Sequence, residues 1–488
     1  MIRSELLDRT AFFIDGGWQR ADDRPRHIQF EAATEEVLGV VSVGGSDDVD
    51  RAVASARAAL DSGPWGRTSP PERAEFMRRL ADALERRGAE TAELVSRENG
   101  TLKSLSHAAN VVGGTSMLRT LADFVASHEF EVVRPSRAGE TLVRREPVGV
   151  VGAITTWNYP VLAVISKVAP ALAAGCTLVV KPPLDCALDA YVVADAAEEI
   201  GLPPGVLNIV VGGQDAAQAL VAHPDVDMIA FTGSTATGRA IGEVAGRMFK
   251  RMTLELGGKS AAIVLPDANV DDLVRTAETA LFKNGGQTCT THSRVIVHRS
   301  RRDEVIDALR GLADGFVIGD PLDSGVTLGP MATEHHRDRV EGYIRLGLAE
   351  GAGIASGGPG RPEGVPRGWF VRPTVFTGVS NDSRLAQEEV FGPVIAVIEY
   401  DDEDDAVAMA NATPFGLAGM VLTGDEAHGL EVAGRIRSGT VGVNYYSLDT
   451  GSPFGGVKSS GIGREFGPEG LDAYLEYKSI YVRPKTAD

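Results

Sequence analysis

The chain has 488 residues, 43% of them hydrophobic and 24% charged, which excludes a disordered or fibrous polymer; at roughly 100–200 residues per domain it predicts about two to four domains. Forty-eight Lys and Arg against 67 Asp and Glu leave a net charge of −19 with no basic run, which argues against a nucleic-acid partner. Three cysteines, Cys176, Cys186 and Cys289, are too few for a disulfide framework or a four-thiolate zinc site; they fit a reducing, cytoplasmic compartment and no metal is expected.

Met1 to Trp18 shows no basic stretch followed by a long apolar one, so no export signal is expected. Residues 1–46 are Gly-punctuated and predict short strands and turns. A helical pattern begins at Asp47. Within it Ser69-Pro70-Pro71-Glu72 predicts an N-cap with proline in the first turn, followed by Phe76, Leu80, Leu84 and Leu94 at near-helical spacing. Residues 127–147 alternate apolar and charged side chains around a Pro-Ser-Arg-Ala-Gly turn and predict an exposed β-hairpin. A lone hairpin is marginal, so it packs on something further, a second subunit included.

From 148 to 265 short apolar runs alternate with helical patterns. The runs are Val148–Ile154, Thr177–Val180, Leu207–Val211, Met228–Phe231, Thr253–Leu256 and Ala261–Leu265, with a helix over Asp189–Ile200 among the intervening segments. Runs apolar on both faces and separated by helices predict a parallel sheet covered on both sides. Asn158, Pro160, Lys167 and Pro170 break the most apolar stretch, so it is not a membrane span. A second alternating region predicts strands at Val295–Val297, Val394–Tyr400, Met420–Thr423 and Val441–Tyr446, and helices at Asp303–Phe316, Glu334–Ala349 and Asp404–Ala412. Gly351–Arg367 predicts an exposed excursion.

Five segments could carry chemistry. Thr156-Trp157-Asn158-Tyr159-Pro160 follows a strand, where α/β sheets collect ligands; Asn158 either donates to an oxyanion or shapes the turn before proline. Phe231-Thr232-Gly233-Ser234 ends a strand at a helix start, a site suited to phosphate or an ordinary capped turn. It is not a Walker A loop, because Arg239 follows where Lys is required. Glu255 interrupts an apolar strand before Gly257 and Gly258; burial would raise its pKa toward that of a general base, whereas a solvent-facing carboxylate would do nothing. Cys289 lies in the polar, Gly-rich turn Asn284-Gly285-Gly286-Gln287-Thr288-Cys289-Thr290 and is the nucleophile candidate; Cys176 and Cys186 read as structural. Glu388-Glu389-Val390-Phe391-Gly392-Pro393 alone reads as a surface turn.

Together, in this order and with Pro453-Phe454-Gly455-Gly456 closing the set, these segments resemble the aldehyde dehydrogenase superfamily over nearly the whole chain. The resemblance implies an α/β fold with two doubly wound α/β domains: a Rossmann-like nucleotide-binding domain (1–126 and 148–258) and a catalytic domain (259–440). A small β oligomerisation element (127–147 and 470–488) joins them, and 441–469 returns to the domain interface near the active site. It further implies a homodimer or homotetramer, with the hairpin and a C-terminal strand 479–484 pairing across subunits. The activity implied is oxidation of an aldehyde to the carboxylic acid with NAD. Cys289 forms the thiohemiacetal and thioester, Asn158 holds the oxyanion, Glu255 activates water, and Lys181 binds the adenosine ribose. Trp157, Gly233, Ser234, Leu256, Gly257, Glu389 and Phe391 complete the cofactor site; Tyr159, Ser166, Thr288, Thr290 and Phe454 form the substrate pocket. Two alternatives are a CoA-acylating semialdehyde dehydrogenase, which Glu255 argues against, and a non-catalytic structural relative.

Two departures from the family pattern bear on specificity. Leu184 stands where many NAD-preferring members carry Glu; if Asp185 takes over, NAD is retained, and otherwise NADP is admitted as well. Ser166 replaces a bulky aromatic, which predicts a widened tunnel and a medium or bulky apolar aldehyde.

Overall fold

The computed structural model describes residues 2–137 and 139–483. Five strands, apolar on both faces and largely buried, pair in parallel in the spatial order Arg251–Glu255, Met228–Thr232, Val150–Ile154, Thr177–Lys181, Leu207–Ile209. Parallel neighbours need crossovers, and the helices Pro160–Ala174, Ala190–Glu199, Gln214–Ala222 and Thr235–Arg247 supply them. From the central strand Val150–Ile154 the chain first builds to one side, then crosses back after Leu207–Ile209 and builds to the other. That reversal opens a crevice at the carboxyl ends of the strands beside Val150–Ile154. Antiparallel strands finish both edges: Ala11–Ile14 with Gly17–Arg20 on one, Gly461–Ile462 on the other. The helix Pro160–Ala174 is buried along its whole length and carries the segment after Asn158 into the core.

A second sheet of seven strands has the order Gly353–Ser356, Thr374–Thr377, Val394–Tyr400, Arg294–His298, Ala261–Val264, Ala418–Leu422, Thr440–Val443. All its pairings are parallel except the first. The predicted excursion Gly351–Arg367 therefore contains an edge strand. Its continuation docks on the N-terminal turn at 31–36: Trp369 N–H donates to Ala32 O at 3.1 Å, and Gly368 N–H to Glu35 Oε1 at 2.8 Å.

The predicted hairpin is present as Glu131–Ser136 and Gly139–Pro147. Its other neighbour is a strand of the same chain, Leu475–Val482, aligned residue for residue from Leu475 opposite Pro147 to Val482 opposite Glu140. The C-terminal strand thus starts four residues before the expected 479, and Pro484 lies outside the described residues. The predicted cap before Pro70 forms as drawn: Ser69 N–H donates to Glu72 Oε2 at 2.7 Å. A turn of π-helix over His107–Gly113 carries no signal in the sequence.

Candidate active site

Four strands of the first sheet end side by side, at Ile154, Lys181, Thr232 and Glu255, and a cavity of about 1000 Å³ lies over these ends. Of the residues singled out from the sequence, Trp157, Asn158, Lys181, Gly233, Ser234, Glu255, Leu256, Gly257, Cys289, Glu389 and Phe391 all line it. Tyr159, Ser166, Thr288, Thr290 and Phe454 do not. Tyr159 and Thr288 pair with each other, their hydroxyls 2.9 Å apart, and Thr288 adjoins Cys289. Phe454 stacks on Phe466 and its backbone exchanges two 2.7 Å hydrogen bonds with Glu465. The Ser166 hydroxyl turns back to Ala163 O at 3.0 Å, inside its own helix.

The second sheet's side delivers the thiol. After the helix Val270–Ala280, three consecutive residues, Asn284, Gly285 and Gly286, take φ of 53°, 62° and 74°, a run that L side chains seldom adopt. It turns the chain sharply and brings Cys289 to the cavity. No side chain fits at Gly286: a Cβ there would lie 2.0 Å from Gly392 O. Asn158 meets this loop directly, donating from Nδ2 to Gln287 O at 2.9 Å. Burial pushes the Cys289 thiol up to about 12, with the carboxylates of Glu389 and Glu255 adding to the effect. The resting sulfur is therefore protonated at neutral pH and needs a base.

Glu255 is 4% exposed and neither carboxylate oxygen has a hydrogen-bond partner. Burial, then the neighbouring Glu465, push its carboxyl well above the ordinary range, with Lys167 and Arg464 opposing. Its Oε1 lies against Gly455, where a Cβ would come within 2.6 Å. Beside it Lys167 pairs with Glu465 in the interior and donates to Thr232 Oγ1 at 2.7 Å; Thr232 is the strand partner of Glu255. Sequence reasoning missed the pair. In the sequence Lys167 stands only as a break in an apolar stretch, though a cation inside a buried helix demands a counter-charge.

Glu389 accepts from Gly258 N–H at 2.9 Å and occupies the space a side chain at Gly257 would need, 2.4 Å from that Cβ. Burial raises its carboxyl to about 7. Phe391 sits at φ 64°, held by His336, whose Nε2 lies 2.7 Å from Phe391 O. Trp157 packs edge-on against both rings. Arg339 donates to Glu389 O at 2.6 Å. His336 and Arg339, one helical turn apart at the start of Glu334–Ala349, also line the cavity and carried no signal in the sequence.

Ser234, next to Gly233 whose N–H donates to Glu255 O at 3.0 Å, caps the helix Thr235–Arg247, accepting from Thr237 N–H at 3.2 Å. Lys181, Gln214 and Gln218 lie nearby on the lining. Burial lowers Lys181 to about 8, partly offset by Asp185. Asp185 itself is not on the lining, and Leu184 uses its carbonyl to accept from Gln29 Nε2 at 2.6 Å. Among the described residues no helix is long and apolar enough to cross a membrane.

A family profile described as the aldehyde dehydrogenase family matches residues 18–480. Geranial dehydrogenase of Castellaniella defragrans is 47% identical over 477 residues, covering 98% of this chain and 99% of that one. Among solved structures, an alanine variant of aldehyde dehydrogenase C from Pseudomonas syringae with NAD+ and octanal is 41% identical, with a TM-score of 0.94 and 98% of each chain covered. The Mycobacterium tuberculosis aldehyde dehydrogenase with NAD+ is 42% identical, with a TM-score of 0.96 and 99% of each chain covered.

Proposed function

The chain belongs to the aldehyde dehydrogenase family, and on that premise we propose that it oxidises a medium or bulky apolar aldehyde to the carboxylic acid with NAD, through a thioester on Cys289. The observation that carries this reading is one cavity lined together by Cys289, Glu255 and Asn158, with Lys181 and the start of the helix Thr235–Arg247 on the same lining. The residues present suit a dinucleotide. Ser234 and Gly233 would hold the pyrophosphate at the helix N-terminus, Lys181 the adenosine ribose, Glu389 the nicotinamide ribose, and Trp157, Leu256, Gly257 and Phe391 its surroundings. When bound, the nicotinamide supplies the hydride acceptor.

The protein's own part runs as follows. The thiol proton passes to solvent water and the sulfur attacks the aldehyde carbon, forming a C–S bond and an oxyanion. One N–H of the Asn158 amide is committed to Gln287 O; the second is free for the oxyanion, together with the Cys289 N–H. Once the hydride has left, a thioester remains. Glu255 then takes a proton from water as the water oxygen bonds to the acyl carbon and the C–S bond breaks, releasing the acid.

The apolar substrate is supported by relatives named for geranial or solved with octanal. NADP is a second reading: Glu255 and Glu389 are the only carboxylates on the described cavity lining, and Asp185, whose charge Lys181 feels, is not on that lining to meet a 2′-phosphate. A homodimer or homotetramer is supported by two strand edges left open among the described residues: Glu131–Ser136, exposed throughout, and Thr440–Val443 at the border of the second sheet. The domain boundaries at 126, 148, 258 and 440, and a cytoplasmic location, belong to the same reading.

The test is a screen of NADH release over aliphatic, terpenoid, aromatic and amino aldehydes, with NAD and NADP in parallel and the product identified as acid or acyl-CoA. Cys289→Ala should abolish turnover and retain dinucleotide binding. Parent-level turnover in that variant, or an acyl-CoA product, overturns the reading.

A further inference from the structure

We infer that Asn284 is a positioning residue that fixes the direction of the Asn158 amide and thereby prepares the oxyanion site. The inference rests on the oxyanion role proposed for Asn158.

Asn284 is buried and left-handed, at φ 53° and ψ 37°. Its Nδ2 donates to Asn158 O at 3.1 Å, and its Oδ1 accepts from Thr101 Oγ1 at 2.9 Å. Thr101 N–H in turn donates to Asn99 Oδ1 at 3.0 Å, and Asn99 Nδ2 donates to Trp157 O at 2.9 Å. Two successive carbonyls, of Trp157 and Asn158, are thus each gripped by a side-chain amide, and Thr101 joins the two amides. The circuit closes on the nucleophile's loop: Asn158 Nδ2 donates to Gln287 O, and Gln287 N–H donates to Asn284 O at 3.1 Å.

This arrangement does more than satisfy a buried amide. Gly285 and Gly286 take the same left-handed conformation with no side chain, so the backbone alone does not require asparagine at 284. What the side chain adds is a tie between the end of the helix Gly88–Asn99, the peptide of Asn158 and the loop of Cys289. The Asn158 amide is planar. With its backbone held and one N–H on Gln287 O, the direction of the second N–H is set before substrate arrives, which is what an oxyanion donor requires.

Asn284→Gly keeps the left-handed backbone and removes only the amide. Asn284→Asp keeps the shape and turns an oxygen on the Asn158 carbonyl. Thr101→Val loosens the outer end of the tie. Two reactions of Cys289 in the full-length protein without dinucleotide separate positioning from general damage. In acylation by p-nitrophenyl acetate the sulfur bonds to the carbonyl carbon, an oxyanion forms, p-nitrophenolate leaves and the thiol proton passes to buffer. Alkylation by iodoacetamide displaces iodide and forms no oxyanion. Both Asn284 variants should acylate about 10- to 100-fold more slowly, alkylate at the parent rate, and bind NAD with the parent affinity; Thr101→Val should show a smaller loss of acylation alone. In an Asn158→Ala background, Asn284→Gly should add no further loss. Alkylation falling in step with acylation overturns the inference. So does parent-rate acylation in Asn284→Gly and Asn284→Asp while Asn158→Ala is slow. Parent-rate acylation in Asn158→Ala instead overturns the oxyanion reading itself.

Discussion

Replacing Lys167 by methionine should both loosen the fold and shift the chemistry. The Lys167 side chain has no exposure and that of Glu465 only 7%, so the substitution strands a carboxylate in the interior. Removing one member of such a pair costs about 3–5 kcal/mol, a large share of the roughly 5–15 kcal/mol that holds a domain folded. The same change reaches Glu255. Lys167 lowers the Glu255 carboxyl and Glu465 raises it; without the cation the carboxyl rises further, stays protonated to a higher pH, and cannot take a proton from water until then. The acid limb of the hydrolytic step therefore moves to higher pH. Lys167→Met/Glu465→Leu removes both charges and should recover most of the stability. Because Glu465 is the larger of the two influences, its acid limb should return to the parent position or below. The measurements are a urea midpoint read at constant slope and a pH profile of octanal turnover. Parent stability in the single variant, or an acid limb that stays in place, refutes the argument.

Glu255→Gln should leave the initial burst of NADH and slow steady turnover by about 10²- to 10⁴-fold; a lost burst would remove Glu255 from the hydrolytic step. Dinucleotide affinity should fall as pH rises through about 8, where Lys181 loses its charge. A Lys181→Arg variant, charged throughout, should give a flat profile; a flat parent profile contradicts the role given to Lys181. Ser166→Trp should depress kcat/KM for geranial and octanal while sparing acetaldehyde. Equal losses for all three, or a parent efficiency that declines steadily from acetaldehyde to octanal, speaks against a wide tunnel.

Much of the fold can be read from the chain because parallel strands buried on both faces leave an unbroken apolar run, as at Val150–Ile154 and Thr177–Lys181. The helix Glu334–Ala349 and the strand Val394–Tyr400 have the expected bounds for the same reason of clear periodicity. The strand Thr374–Thr377 is short and sits just beyond a Gly- and Pro-rich loop, so no period marks it. The cavity residues that stand in local motifs, from Trp157 to Phe391, are visible one segment at a time. Those acting across long separations are not. Lys167 and Glu465 are 298 positions apart, and nothing near either names the other. His336 and Arg339 lie on a surface-patterned helix and gain meaning only when the loop at Glu389 folds against it. Thr101 and Asn284 are ordinary polar residues until their loops meet that of Asn158.

The strand Leu475–Val482 completes the sheet begun by the hairpin, and Lys478 pairs with Glu146 across 332 positions. On a ribosome moving at about 5–20 residues per second, the hairpin waits roughly 17 to 66 s for that strand. The edge strand Gly461–Ile462 keeps Arg251–Glu255 waiting in the same way. The nascent chain therefore emerges with open strand edges at Gly139–Pro147 and Arg251–Glu255 that only segments made much later close. Shortening the C-terminus by even one strand should be felt first as aggregation during synthesis, before any loss of catalysis can be measured.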